Sequence, residues 1–247
     1  MPNTRISAVV NCFNEELWIG PSIRSLIDKV DEIVILDNCS TDNTEQEIKK
    51  ILDEKDQFTT QIEYRRSEIS LELAVARNQA MEMATGDWIL KWDGDFVAYD
   101  VQCNHPIATP IESLLRDVRV GKYDDYDVVF LHSINVSGDV FHIEERRPYL
   151  GLHGDSFIIK KGRINYVADE NFVDTGIIRN EQGGPAKYFK INTPGDPMYF
   201  LHIYGVKEDY YYLYRAFMGP YQRSISDGFD GSFDEWWDVF RADDIRS

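Results

Sequence analysis

The residues best suited to chemistry stand at the ends of short apolar runs. Asp93-Gly94-Asp95 follows Trp88-Ile89-Leu90-Lys91-Trp92, Asp37 follows Ile33-Val34-Ile35-Leu36, and Asn11-Cys12-Phe13-Asn14-Glu15-Glu16 follows residues 6–10. Carboxylates two residues apart at a strand end can face the same side, and Gly94 lets the backbone turn tightly between them. A hard cation such as Mg²⁺ or Mn²⁺ takes one or two protein carboxylates and fills its other positions with water and phosphate oxygens. The triplet therefore suits a diphosphate held through a metal. A solvated acidic turn is the commoner meaning of such a triplet in an acidic chain, but its place directly after a buried run favours the metal reading.

Asp37 is placed to accept hydrogen bonds from a nucleotide base or a ribose hydroxyl. An Asx-turn or helix cap is the alternative; Asp42 is the better capping residue, which leaves Asp37 for a ligand. Asn14 and Glu15 serve equally as ligand contacts or as the start of the next helix. Arg77, among Ala74, Ala76 and Ala80, is either a buried ion-pair partner or a diphosphate contact. His202 sits in the apolar run Tyr199-Phe200-Leu201-His202-Ile203-Tyr204, where a single histidine is more often a core residue than a ligand.

The elements that must position these groups alternate regularly over the first hundred residues. The apolar, β-branched run 6–10 reads as a strand buried on both faces, 32–36 as the next buried strand, 61–64 as a third short strand and 88–92 as a fourth. Between them, residues 17–30, 42–52 and 70–84 carry apolar positions at helical spacing, with Pro21 in a first turn and Gly86 closing the third helix. A β-α-β-α-β-α-β order implies an α/β fold with a mostly parallel sheet flanked by helices. In such sheets ligands bind beyond the carboxyl ends of the strands, so the three polar loops converge on one rim. Further on, 111–118 reads as a helix, 126–133 as a strand, and 140–143 and 157–160 as antiparallel strands. Residues 174–197, rich in glycine and proline, read as a surface loop ahead of a lid over an acceptor site. The aromatic-rich region from Lys207, with Tyr210, Tyr211, Tyr212, Tyr214, Trp236 and Trp237, reads as helical. Its aromatics suit a core or an oligomer interface, which leaves homo-oligomerisation open.

The chain has 247 residues, 43% of them hydrophobic, enough for one domain over 1–247. It divides into a nucleotide-binding half (1–100), an acceptor-side half (101–205) and a helical extension (206–247). The net charge of −17 repels phosphate backbones, so nucleic acid is excluded as a partner. Three sparse cysteines, Cys12, Cys39 and Cys103, argue for a reducing compartment. No stretch approaches the roughly 18 apolar residues of a membrane span. The expectation is a soluble, cytoplasmic protein, with peripheral membrane association left open.

Taken together, Val10–Glu16 in sequence order, Ile35-Leu36-Asp37-Asn38-Cys39-Ser40-Thr41-Asp42-Asn43-Thr44, Ala76-Arg77-Asn78 and Gly86 through Asp95 resemble the inverting family 2 glycosyltransferases of GT-A fold. The order and spacing of all four blocks agree over roughly residues 5–100, and as a set they are highly specific. The resemblance implies a nucleotide-sugar site lined by Asn11, Cys12, Asn14, Glu15 and Asp37, with Arg77 near the diphosphate and Trp92, Asp93 and Gly94 beside it. It implies Mn²⁺ or Mg²⁺ held by Asp93 and Asp95, Asp95 being the more direct ligand, with His202 completing the metal site. The general base of an inverting transfer would be Asp169 or Glu170, with Asp155 as the alternative. Family precedent makes a UDP-sugar the first donor, with TDP- and GDP-sugars open, and the acceptor a glycan or other hydroxyl compound. A sugar-phosphate nucleotidyltransferase is the rival reading, but it would carry a basic Gly-rich loop after strand one. A non-catalytic nucleotide-sugar or carbohydrate-binding module is the other.

Overall fold

The computed structural model describes residues 4–100, 108–131, 133–137, 157–168, 174–191 and 196–205. Four strands build the parallel core of its main sheet: β1 (Ile6–Cys12), β2 (Glu32–Asp37), β3 (Gln61–Arg66) and β4 (Trp88–Asp93). Between them run α1 (Ile19–Arg24), α2 (Thr44–Leu52) and α3 (Leu73–Met83). After β4 come β5 (Phe96–Ala98), α4 (Ile111–Arg119), β6 (Val128–Phe130) and β7 (Ser133–Ser137). The remaining described strands are β8 (Phe157–Lys160), β9 (Ile164–Ala168), β10 (Asp174–Ile178), β11 (Tyr188–Lys190) and β12 (Phe200–Gly205).

Among the described residues the main sheet has seven strands in the order β11-β6-β8-β4-β1-β2-β3. All neighbours pair in parallel except β8, which is antiparallel to both β4 and β6. The two-residue side-chain period splits each central strand between two cores. Ala8, Val10, Ile33, Ile35, Leu90 and Trp92 pack with Ile19 and Ile23 of α1, Ile48 of α2 and Leu114 of α4. Val9, Val34, Leu36 and Ile89 pack with Ala74, Ala76 and Ala80 of α3. Each fully buried Ile or Val contributes about 1.5–3 kcal/mol, and burial on both faces is why these strands read as unbroken apolar runs. At the opposite, amino-terminal edge, buried Glu32 accepts hydrogen bonds from the Ser7 hydroxyl and the Thr85 N–H, while Ser7 Oγ accepts the Gly86 N–H. These bonds align the starts of β1, β2 and β4.

A second, three-stranded sheet, β5-β12-β7, stands beside the first. β12 runs antiparallel to β5 with His202 opposite Phe96, and parallel to β7. The chain therefore leaves the main sheet at Asp93 and enters the small one at Phe96, and Asp93-Gly94-Asp95 spans the step between them.

Several expected boundaries move. The helix expected over 17–30 is confined to Ile19–Arg24, and Asp28 has a left-handed φ of 61° that no helix interior accepts. The single strand expected over 126–133 is two strands in different sheets. The loop expected over 174–197 holds β10 and β11. In β10, a Cβ on Gly176 would lie 2.9 Å from Ile164 Cδ1, so this glycine permits a close strand approach rather than breaking a strand. The expected strand 140–143 and the helical region from 206 lie outside the described residues.

Candidate active site

The carboxyl ends of β1 and β4, the start of α3 and the middle of β12 enclose a cleft of about 300 Å³. Its walls are Asn11, Cys12, Phe13, Glu15, Asn38, Leu73, Ala76, Arg77, Asp93, Gly94, Asp95 and His202. Eight of these carry the sequence expectation: Asn11, Cys12, Glu15, Arg77, Asp93, Gly94, Asp95 and His202. Phe13, Asn38, Leu73 and Ala76 were not singled out. Asn38 follows Asp37 directly, and its side chain ties the loop before α3 in place by accepting the Leu71 N–H and donating to the Leu71 carbonyl.

The acidic turn is set by its neighbours. A Cβ on Gly94 would lie 3.0 Å from Glu15 Cγ and 3.3 Å from Cys12 Cβ, so only glycine lets the β4 end close onto the β1 loop. Below the turn, Ser22 of α1 donates its hydroxyl to the Asp93 carbonyl. Beyond it, the Ile203 N–H donates to the Asp95 carbonyl at 2.9 Å, which brings His202 Nε2 to 3.7 Å from Asp95 Oδ2. Asp95 is 4% exposed. Asp93, by contrast, is met by the ammonium of Lys91, 2.5 Å from its Oδ2.

The β1 and β2 loops are laced together. Asn14 adopts a left-handed φ of 54°, which asparagine tolerates. Its N–H donates to Ser40 Oγ and its Oδ1 accepts the Thr41 N–H. The Glu15 N–H donates to Thr44 Oγ1, and Asp42 accepts both the Glu16 and the Thr44 N–H. Asn14 thus shapes the loop and does not line the cleft. Cys39 also has a positive φ, 65°, an unusual conformation for cysteine that a loop at a functional site can sustain. The buried Cys12 thiol is pushed well up in pKa, by burial first and then by the carboxylates of Asp37, Glu15 and Asp42.

Two expected ligand contacts are set back from the cleft. Asp37 is fully buried; its Oδ1 accepts the Ser40 N–H, and its Oδ2 lies 3.6 Å from Arg66 Nε. Asp37 therefore makes the turn bond that Asp42 was expected to take alone. Trp92 is corrected more fully. Its indole has no exposure, packs on Phe96 and Phe200, and donates Nε1–H to Ser22 Oγ. One position before Asp93, strand alternation sends it into the core on the α1 side.

On α3, the Arg77 guanidinium lies 5.2 Å from the Tyr166 ring centroid. Asn78 clasps the backbone of Tyr166, donating Nδ2–H to its carbonyl and accepting its N–H, each at 2.8 Å. This clasp fixes β9 against α3, three residues before Asp169 in the sequence. Asp169, Glu170 and Asp155 themselves lie outside the described residues.

The donor set fits a hard divalent cation of low protein denticity. One carboxylate and one imidazole, Asp95 and His202, meet beside the turn while Asp93 is held by Lys91, and no cluster of three or more His, Cys, Asp or Glu forms a ready-made cage among the described residues. Mg²⁺ and Mn²⁺ sites of this kind are completed by phosphate oxygens and water. Among the described residues no helix is long and apolar enough to cross a membrane.

Comparison with known proteins agrees with this architecture. The structure is similar to S. aureus TarS 1–349 in complex with UDP-GlcNAc (TM-score 0.54, 18% identity), covering 83% of this chain and 59% of that one. It is also similar to the mannosyltransferase PcManGT from Pyrobaculum calidifontis in complex with GDP-Man and Mn²⁺ (TM-score 0.56, 15% identity), covering 93% of this chain and 65% of that one. The chain thus spans less than two thirds of the length of either. No curated protein sequence matches it significantly. The model of "Glycosyl transferase family 2" matches residues 7–165, well over half of the sequence. The chain belongs to glycosyl transferase family 2.

Proposed function

We propose that the protein transfers a glycosyl group from a nucleoside diphosphate sugar to an acceptor hydroxyl by a cation-dependent, inverting single displacement. The observation that carries this reading is the step from β4 to β5: it puts Asp93 and Asp95 on one rim with Asn11, Glu15 and Arg77, and β12 returns His202 to Asp95. A UDP-sugar is the first donor to test. The bound UDP-GlcNAc of TarS and GDP-Man of PcManGT support a nucleoside diphosphate sugar of either base.

In this reading Asn11 and the β1 loop hold the nucleoside, and Arg77 holds the diphosphate by charge and by its planar donors. Asp95 and His202 would hold Mn²⁺ or Mg²⁺, which when bound supplies positive charge to the departing diphosphate. The acceptor oxygen forms a bond to the anomeric carbon as the bond from that carbon to the diphosphate oxygen breaks. The anomeric carbon gains oxocarbenium character on the way, and the acceptor proton passes to a carboxylate. Asp169 or Glu170 is the proposed base, because β9, held by Asn78, delivers the chain directly to them; Asp155 is the alternative. The β1 loop reads Asn-Cys-Phe-Asn-Glu-Glu, with none of the glycine and basic residues that a nucleoside triphosphate needs, which weighs against a nucleotidyltransferase.

The test is a melting-temperature panel of UDP, GDP, TDP and their sugars with Mn²⁺, followed by donor hydrolysis or transfer with and without EDTA. A nucleoside diphosphate sugar should raise the melting temperature and be consumed only with the cation present. Activity indifferent to EDTA and to Asp95→Ala would overturn the proposal.

A further inference from the structure

Lys91 sits at a position where burial in the sheet selects against charge. It is 4% exposed on β4, between Leu90 and Trp92 of the core. Strand periodicity puts it on the same face as Asp93, and its ammonium lies 2.5 Å from Asp93 Oδ2. The same ammonium lies 5.3 Å from the Phe96 ring centroid, and that ring meets the His202 imidazole edge-on at 4.8 Å. A buried ammonium is strongly unfavourable without a paired charge, so Asp93 and Lys91 are held together by mutual need.

The pairing changes what the acidic turn offers a cation. Of its two carboxylates, Asp93 is met by the Lys91 ammonium at contact distance, while Asp95 lies beside His202. One carboxylate and one imidazole are too few for a cation that prefers six ligands; the rest must come from water or from a diphosphate. The Lys91 charge also favours that diphosphate.

Resting on the glycosyltransferase reading above, we propose that Lys91 is a built-in counter-ion of the acidic turn. It keeps the cation affinity of the free protein low and makes cation binding conditional on the donor's diphosphate. It is a positioning and charge-setting residue that acts through Asp93. Removing its charge frees Asp93 for the cation and withdraws an attraction for the diphosphate, so the two affinities must move in opposite directions. By linkage, whatever coupling exists between cation and nucleotide is shared equally by both ligands.

The experiment uses the full chain, with Mn²⁺ binding read by electron paramagnetic resonance and UDP and GDP binding by calorimetry. In Lys91→Met, Mn²⁺ alone should bind about tenfold more tightly, and the nucleoside diphosphate in EDTA about tenfold more weakly, a tenfold change being about 1.4 kcal/mol. Lys91→Arg should stay close to wild type. A lysine needed only for structure would leave both affinities unchanged or weaken both on removal, and either result overturns the proposal. Should Lys91→Met fail to fold, Asp93→Asn takes its place: releasing the ammonium should tighten nucleotide binding in EDTA, and an unchanged or weaker affinity counts against the idea. Wild-type protein that binds neither UDP nor GDP with Mn²⁺ would sink the glycosyltransferase reading itself, and this inference with it. Wild-type binding with no shift in the variants sinks this inference alone.

Discussion

His202 Nε2 lies 3.7 Å from Asp95 Oδ2 because β12 pairs antiparallel with β5, His202 opposite Phe96. The contact depends on the small sheet, since Asp95 lies in the turn that leads from β4 into β5. Replacing His202 by alanine should leave the main sheet intact and raise the Mn²⁺ concentration for half-maximal donor turnover by roughly tenfold or more, the scale of losses around metal sites. A Mn²⁺ titration of donor hydrolysis measures it. An unchanged midpoint would remove His202 from the cation site and leave it a core histidine packed on Phe96.

Gly94 is required by contact rather than by φ. A methyl there would press on Glu15 Cγ at 3.0 Å and on Cys12 Cβ at 3.3 Å. Gly94→Ala should therefore destabilise the fold by about 1–3 kcal/mol, as overpacking does, and weaken donor binding by pushing the β1 loop outward. Glu15→Ala in the same chain should recover much of the stability without recovering donor affinity. Denaturant melts of the two single variants and the double variant test this as a cycle; additive losses would mean the two residues do not meet.

How much of this was legible in the sequence varies with the kind of interaction. β1, β2 and β4 were readable because burial on both faces leaves nearly unbroken apolar runs, and the convergence of their loops follows from parallel topology. Trp92 was misplaced because a one-residue step in a strand changes its face, and the resemblance names blocks rather than faces. Asp37 was assigned wholly to a ligand because an Asx-turn and a ligand contact leave the same residue type at the same place. The cleft role of Asn38 and the Lys91–Asp93 pair depend on tertiary contacts. Lys91 nevertheless left a trace: a lysine inside Trp-Ile-Leu-Lys-Trp needs a partner, and the nearest carboxylate on its face is Asp93.

The buried Cys12 thiol gives a pH dependence with a definite sign. Its pKa is raised in the folded protein above the ordinary value of 9.0, by burial and then by Asp37, Glu15 and Asp42. A raised folded pKa means the neutral form's contribution is fully present below the unfolded value and is lost as pH climbs toward the folded one. Stability should thus decline from about pH 9 upward, partly through this thiol, and Cys12→Ala should flatten that limb. Tyr64, also raised by burial and by Asp37, adds to the loss at still higher pH. Urea melts from pH 7 to 10 report the difference between variant and wild type. Equal slopes would mean that the thiol ionises as readily folded as unfolded.

Asn78 tests whether the β9 clasp serves transfer rather than donor binding. Its amide makes two hydrogen bonds to the backbone of Tyr166, and Arg77 beside it stacks on the same tyrosine ring. Asn78→Ala leaves a part-buried N–H and carbonyl without these partners, a loss of about 1–3 kcal/mol. The larger effect should be on rate, since β9 leads directly to Asp169 and Glu170, and small misplacements of a reacting group lower rates by on the order of 10²-fold. Donor KM should move far less than kcat, because Arg77, Asp95 and the β1 loop stay in place. Asn78→Asp keeps an acceptor for the Tyr166 N–H and should fall between the two. If Asn78→Ala raised donor KM and left kcat intact, β9 would belong to the donor side of the cleft, and the base would have to be sought at Asp155.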